Sequence, residues 1–338
     1  MRRLSYILLI VITIFSVVIS ACSPKQVMPA QATKPVMNFK LAAILPGVIT
    51  DADYNTLAYI SINNVKTDLG IETVFKENVL PADVDSVIRE YLKQDYNVIW
   101  THGGQFVNQT VVLAKEFPNV TFIAEGDVPV ENPPANLWFI TRNFHVGFYA
   151  VGVTAGLASK TGKIGYISGA TLPFSYAEVH AIQQAIKEQN LNVELITVWT
   201  GDFNDPTKAR KAAEGLIAED VDVIIGSLNL GMVGIFDAAK ASGKPVLVTA
   251  KYSDKTTYAP KNYITALLYD FTDPLKEILM KVQNGEKGGV YPLGFATGVS
   301  LQSPLQNVSA DLQTRVDAIM KEIKEGKINV VNDVTPVQ

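Results

Sequence analysis

Residues 193–226 read VELITVWTGDFNDPTKARKAAEGLIAEDVDVIIG, an order of strand, polar turn, helix and strand. VELITVW (193–199) is β-rich and apolar, Pro206–Glu219 spaces its apolar residues by three and four, and VDVIIG (221–226) is apolar again. Between the first strand and the helix stand Asp202, Asn204 and Asp205, an N-cap cluster followed by a proline suited to the first helical turn. A strand that is apolar throughout must be covered on both faces, which is the condition of a parallel sheet. A helix joining two such strands makes the right-handed crossover that builds one.

The same alternation extends in both directions. Strand-like runs recur at FKLAAIL (39–45), NVIW (97–100), VTFIA (120–124), KIGYI (163–167) and KPVLVT (244–249). Helical spacing recurs over Asp83–Gln94, Gln109–Glu116, Ala177–Gln189 and Met232–Ala241. The fold class is therefore α/β with doubly wound parallel sheets. At 338 residues, 48% hydrophobic and 18% charged, the chain is long and apolar enough for two cores.

The first 21 residues stand apart. Arg2 and Arg3 precede an uncharged apolar stretch, Leu4–Ile19, that ends in Ser20 and Ala21, the pattern of an export signal. Cys22, the only cysteine of the chain, follows VISA directly, so disulfides and thiolate metal sites are excluded. This junction resembles the bacterial lipobox, which implies cleavage before Cys22 and a lipid on its thiol. SPKQVMPAQATKPVM (23–37), with three prolines and no periodicity, reads as a flexible tether. Removing Arg2 and Arg3 leaves 27 basic residues of the 29 against 33 acidic ones, a mature net charge of −6 with no basic stripe for nucleic acid.

In doubly wound sheets, ligands bind outside the carboxyl ends of the strands. The loops at those ends are PGVITDADYN (46–55), THGGQF (101–106), SGATLPFSY (168–176), TGDFNDP (200–206), SLNLG (227–231) and AKYSD (250–254), rich in Asp, Asn, Gly and aromatics. Catalytic constellations are lacking in the sequence. The three histidines, His102, His145 and His180, are far apart with no metal-ligand spacing, and no GxSxG occurs. GLASKTGKI (156–164) has five residues between Gly156 and Gly162 where a P-loop has four, and Ile164 where it needs a hydroxyl, so Gly162 reads as a helix cap. No enzyme activity, cofactor or metal is expected.

SKTGKIGYISGATLPFSYAEVHAIQQAIKE (159–188), the TGDFNDPTKA block and FYAVGVTAGLASKTGKIG (148–165) resemble the basic membrane protein family, lipoprotein substrate-binding components of ABC transporters that include purine-nucleoside receptors. The resemblance runs from Phe39 to about residue 325. It implies a type I periplasmic-binding-protein fold, with two lobes joined by three crossovers and closing on a ligand. The lobes are expected as 38–145 plus 268–286 and 146–267 plus 287–328, with 329–338 as a tail. The implied partners are an ABC permease and ATPase, and a membrane reached through the lipid on Cys22. The implied location is the extracytoplasmic face of a bacterial cell membrane, and the protein is expected to be a monomer. A ligand-sensing lipoprotein feeding a membrane signalling partner is the alternative.

Carried over residue by residue, the resemblance is uneven. The family's first loop has two acids, an aromatic and an Asn; here they align with Thr50, Asp51, Tyr54 and Asn55. Tyr252 stands where nucleoside receptors hold the ribose with an acid, and Tyr269 where they place a lysine. The His102-Gly103 pair is like a branch associated with free purine bases. The expected ligand is therefore a compact heterocycle rather than a nucleoside. Its flat walls would be Tyr54, Phe174, Tyr176 or Trp199, and its polar contacts Asp51, Asn55, His102, Gln105, Asn229 and Lys251. Gly103 would let the backbone approach it closely. Plainer roles stay open: capping for Asp51 and Asn55, core packing for Tyr54 and Trp199, structural or solvent-facing positions for His145 and His180. Glu125 and Asp127, at a strand end, are undecided.

Overall fold

The computed structural model describes residues 38–337; the expected leader (1–21), tether (22–37) and lipid-bearing Cys22 lie outside them. The first half runs β1 (Lys40–Ile44), α1 (Tyr54–Leu69), β2 (Glu72–Lys76), α2 (Val84–Leu92), β3 (Val98–Thr101), α3 (Val107–Glu116), β4 (Thr121–Gly126) and β5 (Leu137–Arg142). It continues through α4 (Phe144–Ala158), β6 (Lys163–Ser168), α5 (Pro173–Glu188), β7 (Glu194–Trp199), α6 (Pro206–Ala218), β8 (Val223–Ser227), α7 (Met232–Ala241), β9 (Leu247–Tyr252) and β10 (Tyr263–Tyr269). The last elements are α8 (Thr272–Gln283), β11 (Gly289–Leu293), β12 (Val299–Leu301) and α9 (Ala310–Lys324).

Two six-stranded sheets result, ordered β11-β5-β4-β3-β1-β2 and β12-β10-β9-β8-β6-β7. All pairings are parallel except β10 with β12. The central strands β3 and β8 are buried at every residue, as their unbroken apolar sequences require. The chain passes between the sheets after β5, after β10 and again between β11 and β12, while α8 returns to pack on α1 of the first lobe. One expected boundary is corrected here: β11 pairs with β5, so residues 289–293 belong to the first lobe and not the second. Pro292 cannot donate to a ladder, which suits an edge strand such as β11 and hides it from a sequence reading.

Local chemistry fixes the helix starts that face the cleft. Asp205 accepts bonds from the Thr207 and Lys208 amides at 2.8 and 3.0 Å, capping α6 ahead of Pro206. At α1 the cap is Asp51, whose carboxylate accepts from the amides of Asp53, Asn55 and Thr56, each at 3.0 Å. After α9, the chain lies along α5. The Val331 amide donates to Gln184, His180 Nε2 is 3.0 Å from the Thr335 carbonyl, and Asn332 reaches the first lobe by donating to the Asp127 carbonyl at 2.7 Å.

Candidate ligand-binding site

The carboxyl ends of both sheets meet across a cavity of about 1090 Å³. From the first lobe it is lined by Tyr54 and Asn55 at the start of α1, Gln105 just before α3, Val107 and Val111 on α3, Asp127 after β4 and Arg142 at the end of β5. The second lobe contributes Leu172, Phe174, Phe203, Asn229 and Tyr252.

Arg142 is the charged centre of the first-lobe wall. It grips Asp127 with two parallel bonds, Nε to Oδ1 at 3.0 Å and Nη2 to Oδ2 at 2.6 Å, and donates to the Tyr54 hydroxyl at 3.1 Å through Nη1. Burial alone would lower the guanidinium's pKa, but Asp127, Tyr54 and Glu125 together hold it well above its ordinary value. The Tyr54 hydroxyl in turn donates to Glu125 at 2.7 Å, and burial followed by that carboxylate pushes its own pKa well up. Burial raises the Glu125 carboxyl as well; His102, Arg142 and Tyr54 outweigh it and leave Glu125 below the usual range.

His102 is placed differently from expectation. It is fully buried behind Tyr54, whose ring stacks on it with centroids 3.8 Å apart. Its Nδ1 lies 2.5 Å from Glu125 and its Nε2 lies 3.0 Å from the Tyr54 carbonyl, so both ring nitrogens face oxygen acceptors within the first lobe. It supports Tyr54 and does not line the cavity. Of the glycines beside it, Gly104 lines the cavity and lies against Arg142, where a Cβ would stand 2.7 Å from Nη2. Gly103 itself has φ +146°, which favours glycine, and is buried away from the cavity.

Of the other expected contacts, Tyr54, Asn55, Gln105, Phe174, Asn229 and Tyr252 line the cavity. Asp51 does not; it is spent on capping α1 and on the Asn55 and Asn229 side chains. Tyr176 and Trp199 pack edge to face at 5.8 Å and stay outside the cavity, because β7 is the sheet's edge strand. Lys251 is fully buried, 2.6 Å from Glu178 and 4.1 Å from the Phe144 ring centroid, so it lies behind the wall that Phe174 and Tyr252 form. Tyr269 packs on Phe144 and Tyr252, with its buried hydroxyl unpartnered among the described residues. Sequence reasoning missed Arg142, Phe203 and Leu172, and left Asp127 and Glu125 open.

The lobes also hold each other directly. Asn229 donates to Asp51 at 3.1 Å, and Asp53 at the start of α1 accepts from Ser253 at 2.6 Å and from Lys255 at 2.7 Å, both on the loop after β9. Asp53 and Lys255 are buried, and Asp53 Oδ2 has no partner among the described residues. Burial pushes the Asp53 carboxyl up to about 7, against the pull of Lys255. Tyr252, which ends β9 just before that loop, holds φ +76°, a costly conformation for an aromatic residue. Among the described residues, no group of three or more His, Cys, Asp or Glu could hold a metal.

Comparison with known proteins agrees with this architecture. Basic membrane protein A of Borreliella burgdorferi is 26% identical over 330 residues, covering 96% of this chain and 95% of its own. A purine-binding protein of Brucella abortus is 26% identical over 268 residues, 77% of this chain and 73% of its own. Among solved structures, an ABC transporter solute-binding protein of Conexibacter woesei superposes with a TM-score of 0.68 at 25% identity, covering 87% of this chain and 99% of that one. A solute-binding protein of Aeropyrum pernix shares the fold with a TM-score of 0.75 at 20% identity, over 87% and 93% of the two chains. Residues 39–333 match the family described as ABC transporter substrate-binding protein PnrA-like, and the chain belongs to that family.

Proposed function

We propose that this protein is the lipid-anchored extracytoplasmic receptor of an ABC importer, and that it takes a small heterocycle such as a purine base between its lobes. The observation that carries the reading is the buried Arg142–Asp127 pair facing Asn229 across aromatic walls of Tyr54, Phe174 and Tyr252. A guanidinium has five N–H donors. Three are engaged here, two by Asp127 and one by Tyr54, which leaves two for acceptors on a planar ring edge. The Asp127 oxygens keep lone pairs for ring donors. The flat side chains supply stacking, roughly 0.5–1.5 kcal/mol for each aromatic contact.

Nucleosides fit less well. The positions where the family resemblance puts a ribose-binding acid and a lysine are Tyr252 and Tyr269, and Tyr269 does not reach the cavity. Each sugar hydroxyl left unpaired on burial costs about 1–3 kcal/mol. The purine-binding relative supports the base reading, and VISA-Cys22 supports the anchor. Cross-lobe bonds through Asp51 and Asp53 support lobe closure as the step that a permease would recognise.

Calorimetric titration with adenine, hypoxanthine and guanine, each beside its nucleoside, tests the ligand. Free bases should bind at least tenfold more tightly. A nucleoside that binds more tightly than its base would overturn the reading. Mass spectrometry of the membrane-bound form should find diacylglycerol on Cys22, and an unmodified thiol there would remove the anchor.

A further inference from the structure

The cavity is not uniform along its depth. Its buried wall is polar or aromatic: Tyr54, Asn55, Asp127, Arg142, Asn229 and Tyr252 are each less than a tenth exposed. Towards solvent the first-lobe lining sets an aliphatic group among the exposed polar side chains of Gln105, Asn108 and Glu131, with Val107, Val111 and Val130 half-buried and Val112 and Val128 exposed by 60% and 53%. The second lobe answers with Leu172, 40% exposed, and half-buried Phe203. Nine large hydrophobics are markedly exposed among the described residues, and three of them, Val112, Val128 and Leu172, line this one cavity from both lobes. Isolated exposed apolar residues need no explanation, whereas a facing set around one opening does. The volume of about 1090 Å³ points the same way, since drug-sized ligands occupy pockets of roughly 300–1,000 Å³ and a bare fused-ring base is smaller than those ligands.

We propose that the ligand is amphipathic: a planar polar head held at Arg142–Asp127 and Asn229, carrying an apolar substituent that runs outward between the valines of the first lobe and Leu172 and Phe203 of the second. The head of this ligand rests on the function proposed above; the apolar compartment does not. An exposed aliphatic rim stays in contact with water while the site is empty, so covering it with a hydrocarbon substituent adds affinity in proportion to the area removed from water. The same substituent touches both lobes and so favours their approach.

Titration calorimetry with adenine and 6-benzylaminopurine, together with fluorescence titration of the apolar probe N-phenyl-1-naphthylamine, tests this on wild type, Val111→Asp and Leu172→Asp. Both substitutions fall at partly exposed positions, and circular dichroism checks their folding. The benzyl compound should bind wild type at least tenfold more tightly than adenine, and that ratio should fall towards one in both variants. The fluorescent probe should bind wild type and lose at least tenfold in the variants. Adenine binding with a benzyl-to-adenine ratio below two overturns the proposal and leaves the base reading standing. Failure of both purines alongside probe binding that the variants abolish overturns the base reading and supports the apolar compartment. Failure of both purines and of the probe overturns the proposal.

Discussion

Replacing Lys255 by methionine removes the cation of a buried pair that spans the lobes. Its Nζ lies 2.7 Å from Asp53 Oδ1, and Asp53 is fully buried with its second oxygen already unpartnered. Breaking such a pair from one side costs about 3–5 kcal/mol, because the remaining charge keeps its desolvation penalty. That cost belongs to the arrangement in which the lobes touch, since parting them returns the carboxylate to water. The Asp53 value of about 7 is reached with Lys255 pulling it down, so without Lys255 the carboxyl rises further. At pH 8 it then takes up a proton rather than bearing the whole cost, which limits the fall of the closed population relative to the open one to roughly tenfold. Asp53→Asn/Lys255→Met has no charge to strand and should recover most of the loss. Spin labels at exposed Lys115 and Lys208, one on each lobe, read the separation in a Cys22→Ala background. The single variant should show a longer label distance than wild type, and the double variant a shorter one than the single. An unchanged distance in Lys255→Met, or a double variant as open as the single, would refute the latch.

The same carboxylate predicts a pH effect. Its pKa is raised to about 7 in the closed form against 3.8 when hydrated, so closure takes up a proton between those values; acidifying from pH 8 to 5 should favour the short distance in wild type and not in Asp53→Asn. His145 acts in the opposite sense on folding. Burial depresses it from 6.5 to about 4, so stability is lost as pH falls through that window, and between pH 7 and 5 urea denaturation should cost wild type about 2 kcal/mol more than His145→Leu. Asp127→Ala strands the buried Arg142 and should cost about 3–5 kcal/mol, read as a lower thermal midpoint that Asp127→Ala/Arg142→Met largely restores. Gly104→Ala should cost about 1–3 kcal/mol in the same assay by pressing a methyl group on the guanidinium, 2.7 Å away.

What the sequence made legible follows from what is local in it. The strand, turn and helix of 193–226 appear as β7, α6 and β8, and Asp205 caps α6 where the cluster before Pro206 places a cap. Pairing across distance is another matter. Arg142 closes an apolar run that ends at the first crossover, and nothing near it announces Asp127, fifteen residues earlier, or Tyr54, 88 earlier, as its partners. Gly103 and Gly104 signal a close approach without saying what approaches; Arg142 Nη2 is what approaches Gly104. Trp199 reads the same at the end of any apolar strand, and only the sheet order puts it on an edge, away from the cleft.

The tail segment from Asn329 to Thr335 has a practical consequence for anyone handling the protein. It is stitched to His180 and Gln184 on one lobe and, through Asn332, to the backbone of Asp127 on the other, whose carboxylate orients Arg142. An affinity tag or fluorescent reporter placed directly after Thr335 would start beside a strap that bears on the binding cleft, so affinities measured on such a fusion would include its pull. A cleavable handle, removed before titration, keeps the purification from being part of the measurement.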